Sequence, residues 1–265
     1  MDSFAPSPRV ASRFKPSALA GPALALLAWE AGSRAGLIPA RLLPPPSAIC
    51  RALAAYALSG ELAADAAASA RRWALGLALG ATLGAATGLV TGAWRAARAA
   101  AAPTLHFLRA LPFMMLMPLT MLWFGFADAA KILLCAWGAF FPVWLAAQSA
   151  VLGVEKEYLW AARTLGAEGP RLWLEVLLPL SLPGLAAGLR TAVSTSMFAL
   201  AAAEMVGSYD GLAYRAFYSY QLFQSAKMLA CIACVGAAGL AADAACAALA
   251  RRLAPWAEEA SWSGR

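Results

Sequence analysis

The sequence predicts an all-α membrane protein built as one bundle of six transmembrane helices. Hydrophobic residues make up 62% of the 265-residue chain and charged residues 13%, against roughly 45–50% and about 25% in soluble domains. Several apolar runs reach the roughly 20 residues a helix needs to cross a hydrocarbon core of about 30 Å. No polar linker between those runs is long enough to separate one core from another, so they are read as a single domain.

Residues 1–16 are read as a cytoplasmic N-terminal tail carrying Arg9, Arg13 and Lys15, and residues 17–253 as the membrane domain. The first span covers about 17–36. A basic head before an apolar run also suits a secretory leader, but AWEAGSR makes a poor cleavage region, and the helix is read as retained. RLLPPPSAI (41–49) cannot be helical through its proline run and is expected to be an extended extramembrane segment. It opens an amphipathic stretch reaching about residue 65.

The second span, 70–94, carries a ladder at Gly76, Gly80, Gly84, Gly88 and Gly92. Glycines four apart let another backbone come close, which matters in lipid, where van der Waals contact drives helix association. Each step of four overshoots a turn by about 40°, so the ladder is a slanted ridge suited to an oblique helix crossing. Its partner is either a helix of the same chain or a second subunit. Pro112 and Pro118 interrupt the third span, 103–125, and Pro142 the fourth, 129–153. Each removes a backbone donor and bends its helix, as a pathway-lining helix or a packing device requires. The fifth and sixth spans are 180–206 and 228–250, and residues 254–265 are a cytoplasmic C-terminal tail.

Orientation follows from basic residues at helix ends. A cytoplasmic N-terminus puts Arg9, Arg13, Lys15, Arg95, Arg98, Lys156, Arg163, Arg171, Arg251 and Arg252 inside. The other face keeps Arg34, Arg41, Arg51, Arg71, Arg72, Lys131, Arg215 and Lys227, partly offset by Glu30, Glu61, Asp65, Asp128 and Asp210. The bias is modest. Both termini and residues 154–179 then face the cytoplasm.

The net charge of +7 does not point to nucleic acid, because the basic residues are scattered singly or in pairs with no aromatic-interleaved stripe. Cys135, Cys231, Cys234 and Cys246 lie in apolar runs, as small hydrophobes do. Cys231 and Cys234 have the spacing of a redox or metal pair, but no second such pair or nearby histidine completes a site, and no metal is expected. His106, the one histidine, is read as a polar residue at a helix start. Within the spans, Arg109, Arg190 and Asp243 fall in the cytoplasmic half. Asp243 is expected to pair with one of the two arginines, the alternative being arginines that snorkel without a partner. Glu204 lies near the outer end of the fifth span, about 20 Å beyond Arg190.

Between the fourth and fifth spans, VEKEYLWAART (154–164) suits a short helix with Glu155 and Glu157 in its first turn. Gly166 stands where a left-handed terminator is wanted, and Pro170 suits the start of a second helix. Leu178, Pro179, Leu182 and Pro183 lead into the membrane. Leu159, Trp160, Ala161, Ala162 and Leu165 expose more apolar surface than a connector needs. They fit a partner's groove or a bilayer surface.

AARTLGAEGPRLWLEVLLPLSLPGLAAGLR (161–190) closely resembles the EAA loop of bacterial ABC importer permeases, through Ala161, Ala162, Gly166 and the Leu178–Pro179 pair. Trp160 stands where that loop usually has Glu. RLLPPPSAI, LRALPFMMLMPLTMLWFGFADAAKILL (108–134) and AAAEMVGSYDGLAY (201–214), with Ala213 replacing a usual Gly, resemble segments of the nitrate, taurine and alkanesulfonate type. The resemblance spans about residues 30–256. It implies a type I importer permease fold of the MetI kind, and a homodimer in the bacterial inner membrane. Two cytoplasmic ATPase subunits would carry ATP and Mg, and a periplasmic solute-binding protein would deliver the solute.

On that reading Leu159, Trp160, Ala161, Ala162, Leu165, Gly166, Leu178 and Pro179 form the ATPase-coupling loop. Arg109, Pro112, Pro118, Arg190, Glu204 and Asp243 are candidates for the pathway or gate, Glu204 facing either the pathway or the binding protein, with a plain hydrogen-bonded interfacial carboxylate the favoured alternative. No cofactor is expected on this chain, which lacks a G-x-x-x-x-G-K-[ST] phosphate loop. The family and the internal arginines suit a small oxyanion such as a sulfonate, taurine or nitrate, although thiamine-precursor permeases look alike at this level. An ATP-independent transporter or channel is the alternative, with Glu204 and Asp243 the only intramembrane carboxylates to serve it. A membrane hydrolase lacks motif-spaced partners for His106.

Overall fold

A computed structural model describes residues 17–253, and the two expected tails lie outside the described residues. Every regular element among the described residues is helical. Helix α1 (Ser17–Arg34) leads through a short turn segment into α2 (Pro46–Leu58) and then α3 (Glu61–Ala93). The proline run is therefore not extended throughout. Pro45 is the extended N-cap and Pro46 opens α2, a position where its missing N–H is no loss. Gly60, at φ +78°, allows the reversal into α3.

Four helical rods are long and apolar enough to cross a membrane: α3, α6 (Asp128–Leu152), the stretch Gly169–Gly207 and most of α11 (Ser225–Leu253). A fifth is reached if the bent pair α4 (Arg95–Ala110) and α5 (Phe113–Phe124) counts as one span. By length and composition, the expected six are thus four or five among the described residues. The first candidate falls short in hydropathy, because α1 contains Pro22, Glu30 and Arg34. The expected continuous span 103–125 is also corrected, since α4 and α5 meet at 94°. Pro112 forces Leu111 out of the helical region, and Leu111 and Pro112 are both extended. Pro118 and Pro142 remain inside α5 and α6.

Helix α6 is the centre of the bundle, with α3 on one side and α9 (Leu178–Gly207) on another. All five ladder glycines of α3 face α6. An added Cβ would lie 2.5 Å from Cys135 Cβ at Gly76, 2.2 Å from the Ala136 carbonyl at Gly80 and 2.5 Å from the Phe140 carbonyl at Gly84. At Gly88 and Gly92 it would meet Ala147 Cβ at 2.5 Å and Val151 Cβ at 2.7 Å. The contacts advance in the same direction along both helices, so α3 and α6 run parallel. The ladder is filled within the chain and is not open to a second subunit. On the other side α9 runs antiparallel to α6, with Gly188 against Ala146, Gly184 against Ala150 and Thr195 Oγ1 donating 2.8 Å to the Gly138 carbonyl.

The buried polar groups of this core are partnered. Trp144 Nε1 and Gln148 Nε2 donate to Thr91 Oγ1 at 3.2 and 2.8 Å, and Thr91 donates to the Thr87 carbonyl at 2.8 Å. His106 lies well inside α4 and not at a helix start, its ring 5.2 Å from that of Trp144.

Helix α7 (Lys156–Thr164) precedes a rod in which α8 (Gly169–Leu172) passes through a π-helical turn, Trp173–Leu177, into α9. The second short helix is therefore continuous with the fifth span. The wide turn lies just upstream of Pro179, whose ring crowds the carbonyl four residues before it. Helix α10 (Leu212–Gln221) completes the set.

Gly80→Ala is expected to destabilise the protein by about 1–3 kcal/mol through overpacking against α6. Gly21→Ala, where an added Cβ meets nothing within 4 Å, should leave thermal unfolding of the detergent-purified chain unchanged.

Candidate functional site

The two ends of the bundle differ in chemistry. At one end the chain folds into an exposed elbow. Glu155 is the N-cap of α7 and not within its first turn, where only Glu157 remains. The helix closes with Gly166 at φ +83°, Gly166 N donating 2.9 Å to the Arg163 carbonyl and Ala167 N 2.9 Å to the Ala162 carbonyl. That paired pattern satisfies two orphan carbonyls and needs the left-handed residue. Trp160 is 59% exposed and Leu165 85%, with Tyr158 and Ala161 exposed beside them. Leu159 and Ala162 are half-buried, as are Leu178 and Pro179, which sit in the rod itself. Trp173 of the π turn meets Trp94, at the end of α3, with ring centroids 5.8 Å apart.

At the opposite end lies a buried ionic cluster assembled from α3, α6, α9 and α10. Arg72, 3% exposed, donates to Asp128 Oδ1 at 2.7 Å, Glu204 Oε1 at 3.2 Å, Ser208 Oγ at 3.3 Å and the Asp210 carbonyl at 3.2 Å, and also pairs with the Asp210 carboxylate. Glu204, 1% exposed, accepts from Ser69 Oγ at 2.7 Å and Ala213 N at 3.2 Å. Asp65 accepts from Tyr56 Oη at 2.6 Å, Gly211 N at 3.0 Å and Arg215 Nε at 2.7 Å, while Leu212 N donates to Ser69 Oγ at 2.9 Å. Three side chains thus take up the unpaired N–H groups at the start of α10, the positive end of its dipole. Gly211, at φ +112°, lies so close that an added Cβ would sit 2.5 Å from Glu204 Cδ.

Each cation in the cluster has a carboxylate neighbour. Arg71 pairs with Asp128, Lys131 lies 3.9 Å from it, and Lys227 is 3.0 Å from Glu61. Outside the spans, the hydrogen bond to Asp65 raises the Arg215 pKa further. Burial pushes the Asp210 carboxyl up, but the Arg72 guanidinium outweighs it and holds the group below its ordinary value. Asp210 therefore stabilises this corner at neutral pH, and the contribution is lost as pH falls through its depressed pKa.

The candidate pathway residues do not converge. Glu204 belongs to the cluster, beside a mostly apolar cavity of about 340 Å³ that Ser69, Trp73 and Met197 help to line. Asp243 of α11 pairs with Arg190 of α9 and not with Arg109, accepting from Nε at 2.7 Å and Nη2 at 2.8 Å. Arg109, in the last turn of α4, is exposed and has no ion-pair partner among the described residues. Pro112 marks the α4–α5 break. Sequence reasoning used Arg72, Asp128, Asp65 and Asp210 only as orientation charges and passed over Ser69 and Tyr56. The available signal was mixed-sign charge recurring at one end of successive helices.

Residues 76–255 match the family model described as the binding-protein-dependent transport system inner membrane component, and the chain belongs to that family. It is 34% identical over 235 residues to the protein designated aliphatic sulfonates transport permease SsuC of Bacillus subtilis (strain 168), covering 89% of this chain and 85% of the relative. It is 29% identical over 162 residues to the taurine transport system permease TauC of Escherichia coli (strain K12), covering 61% of this chain and 59% of the relative. A chain of the MetNI methionine ABC transporter, solved in inward-facing conformations, superposes with a TM-score of 0.64. That match covers 72% of this chain and 95% of the other at 20% identity, and the shared fold is that of a type I importer permease.

Arg72→Met would leave carboxylates buried without their cation and should cost about 3–5 kcal/mol. Glu204→Gln, which leaves Arg72 its two aspartates, should cost about 1 kcal/mol. Chemical unfolding of the purified variants in detergent measures both.

Proposed function

We propose that this chain is the membrane subunit of an ATP-driven importer for a small anionic solute of the sulfonate or taurine class. It works as a homodimer in the bacterial inner membrane, with two cytoplasmic ATPase subunits that hold the ATP and Mg and a periplasmic protein that delivers the solute. The observation that carries this reading is the elbow. A short helix with Trp160 and Leu165 bared, locked by Gly166, is joined to a single rod, Gly169–Gly207, that reaches the ionic cluster at the far end. Force applied to α7 by a partner is passed along that rod and, through the Trp94–Trp173 contact, to α3. Alternating access needs two bundle states whose balance nucleotide shifts, and a stiff rod conveys such a bias.

The elbow end, where α11 also finishes, is taken as cytoplasmic because Arg95, Arg98, Arg163, Arg171, Arg251 and Arg252 gather there. Trp160 makes the docking apolar where the usual Glu would make it ionic. The names of the SsuC and TauC relatives support the solute class. An ion-driven transporter is less well supported, because Glu204 and Asp243, the carboxylates it would use, are each tied to an arginine.

Trp160→Ala and Gly166→Leu are expected to lose co-purification with the ATPase and to lower uptake about tenfold or more, since buried tryptophans dominate interface energies. The amount of inserted chain should not change. Wild-type uptake by both variants contradicts the docking model.

A further inference from the structure

The Arg190–Asp243 pair differs from the ionic cluster in exposure and in depth. The Arg190 side chain is 60% exposed and that of Asp243 33%, whereas Arg72 and Glu204 are themselves sealed at 3% and 1%. Along α9, Arg190 lies about 21 Å from Glu204, and along α11 Asp243 lies about 24 Å from Lys227 and about 12 Å from Arg251, at 1.5 Å per residue. In a hydrocarbon core of about 30 Å the pair is within the membrane. Charges at that depth face a bundle interior or water and not lipid, because lipid exposure is costly. The α9–α11 face that carries the pair therefore borders a protein-lined or aqueous space.

Beside the pair lies a groove of about 560 Å³ to which Ser194, Met197, Phe198, Gly236 and Leu240 contribute. An added Cβ at Gly236 meets nothing within 4 Å, so this glycine leaves space open and does not form a packing seam. Ser194, one turn from Arg190, is exposed. The cluster cations are committed to neighbouring carboxylates, with Arg72 and Lys131 buried. Arg190 and Arg109 are both exposed cations of the expected spans, and Arg190 is the one whose carboxylate partner, Asp243, lines this groove.

The geometry points to Arg190 as an anion-receiving residue on the route across the membrane, with Asp243 holding its guanidinium until the sulfonate of the solute takes the carboxylate's place. This rests on the sulfonate or taurine reading above. The planar fork of arginine bonds two oxygens at once and fits a sulfonate as it fits a carboxylate. The groove accepts the short alkyl chain. Competition from Asp243 keeps the site weak, as a transit site must be if the solute is to leave it. No covalent bond is made or broken.

The test uses the full chain in nanodiscs, with ethanesulfonate and taurine binding followed by saturation-transfer NMR. It is joined to uptake of the same labelled compounds by host cells in which each variant replaces the native chain. Asp243→Asn, which removes the competitor, should tighten sulfonate binding about tenfold, the scale of one charge-assisted contact. The neutral pair Arg190→Gln/Asp243→Asn keeps a side-chain hydrogen bond between α9 and α11 but has no guanidinium. It should melt like wild type while uptake falls about tenfold or more. Wild-type uptake by the neutral pair, or no gain in affinity from Asp243→Asn, overturns the assignment and makes the pair a structural tie. If the neutral pair fails to insert, the affinity of Asp243→Asn decides alone. Wild-type cells that import neither compound overturn the sulfonate reading itself, and this site with it.

Discussion

The approach of α3 to α6 is the constraint on which the rest of the bundle depends. In hydrocarbon, apolar side chains gain nothing by leaving lipid for one another, so two helices stay together through dispersion contact at short range. Five glycines in register bring the α3 backbone against carbonyls and small side chains of α6 over four turns. Helix α6 then receives α9 on another face through Gly184 and Gly188, which makes it the shared wall of the domain. Because α3, α6 and α9 are held this closely, their ends can be aligned well enough to build a charge cluster from all three.

That cluster reverses the usual relation between burial and charge. Isolated, Arg72 or Glu204 would be prohibitively costly at this depth. Together with Asp128, Asp210, Ser69 and the first N–H groups of α10, each ion is surrounded by partners. The arrangement leaves this end of the bundle close to electrically balanced, each cation having a carboxylate neighbour. The exposed deep pair on α9 and α11 is the opposite case, a cation with a single replaceable partner.

Much of this was legible in the sequence, and for identifiable reasons. Hydropathy marks the membrane class, and the runs at 70–94, 129–153, 180–206 and 228–250 fall on α3, α6, α9 and α11. Gly166 is legible because a left-handed terminator has few substitutes. The break at Pro112 was expected as a bend but is a right-angle turn, since a local rule states that a helix yields and not how far its halves diverge. The partner of the glycine ladder, the pairing of Asp243 and the cluster around Arg72 depend on residues as far as 166 positions apart. Counting charges by side of the membrane treated those ions as an orientation signal and concealed that they neutralise one another. Helix α10 was missed because its start is capped by side chains from other helices and not by its own sequence.

The π turn at Trp173–Leu177 has a consequence for how a whole importer is assembled. A wide turn carries roughly one residue more than an α-helical one, and each residue rotates the chain by about 100°. The turn therefore works as a phase setting between the membrane rod and the elbow. Loss or gain of one residue there would swing Trp160 and Leu165 about a quarter of the way round the axis without altering either surface. Chains with the same fold could in this way come to accept differently oriented motor subunits by a change of length alone.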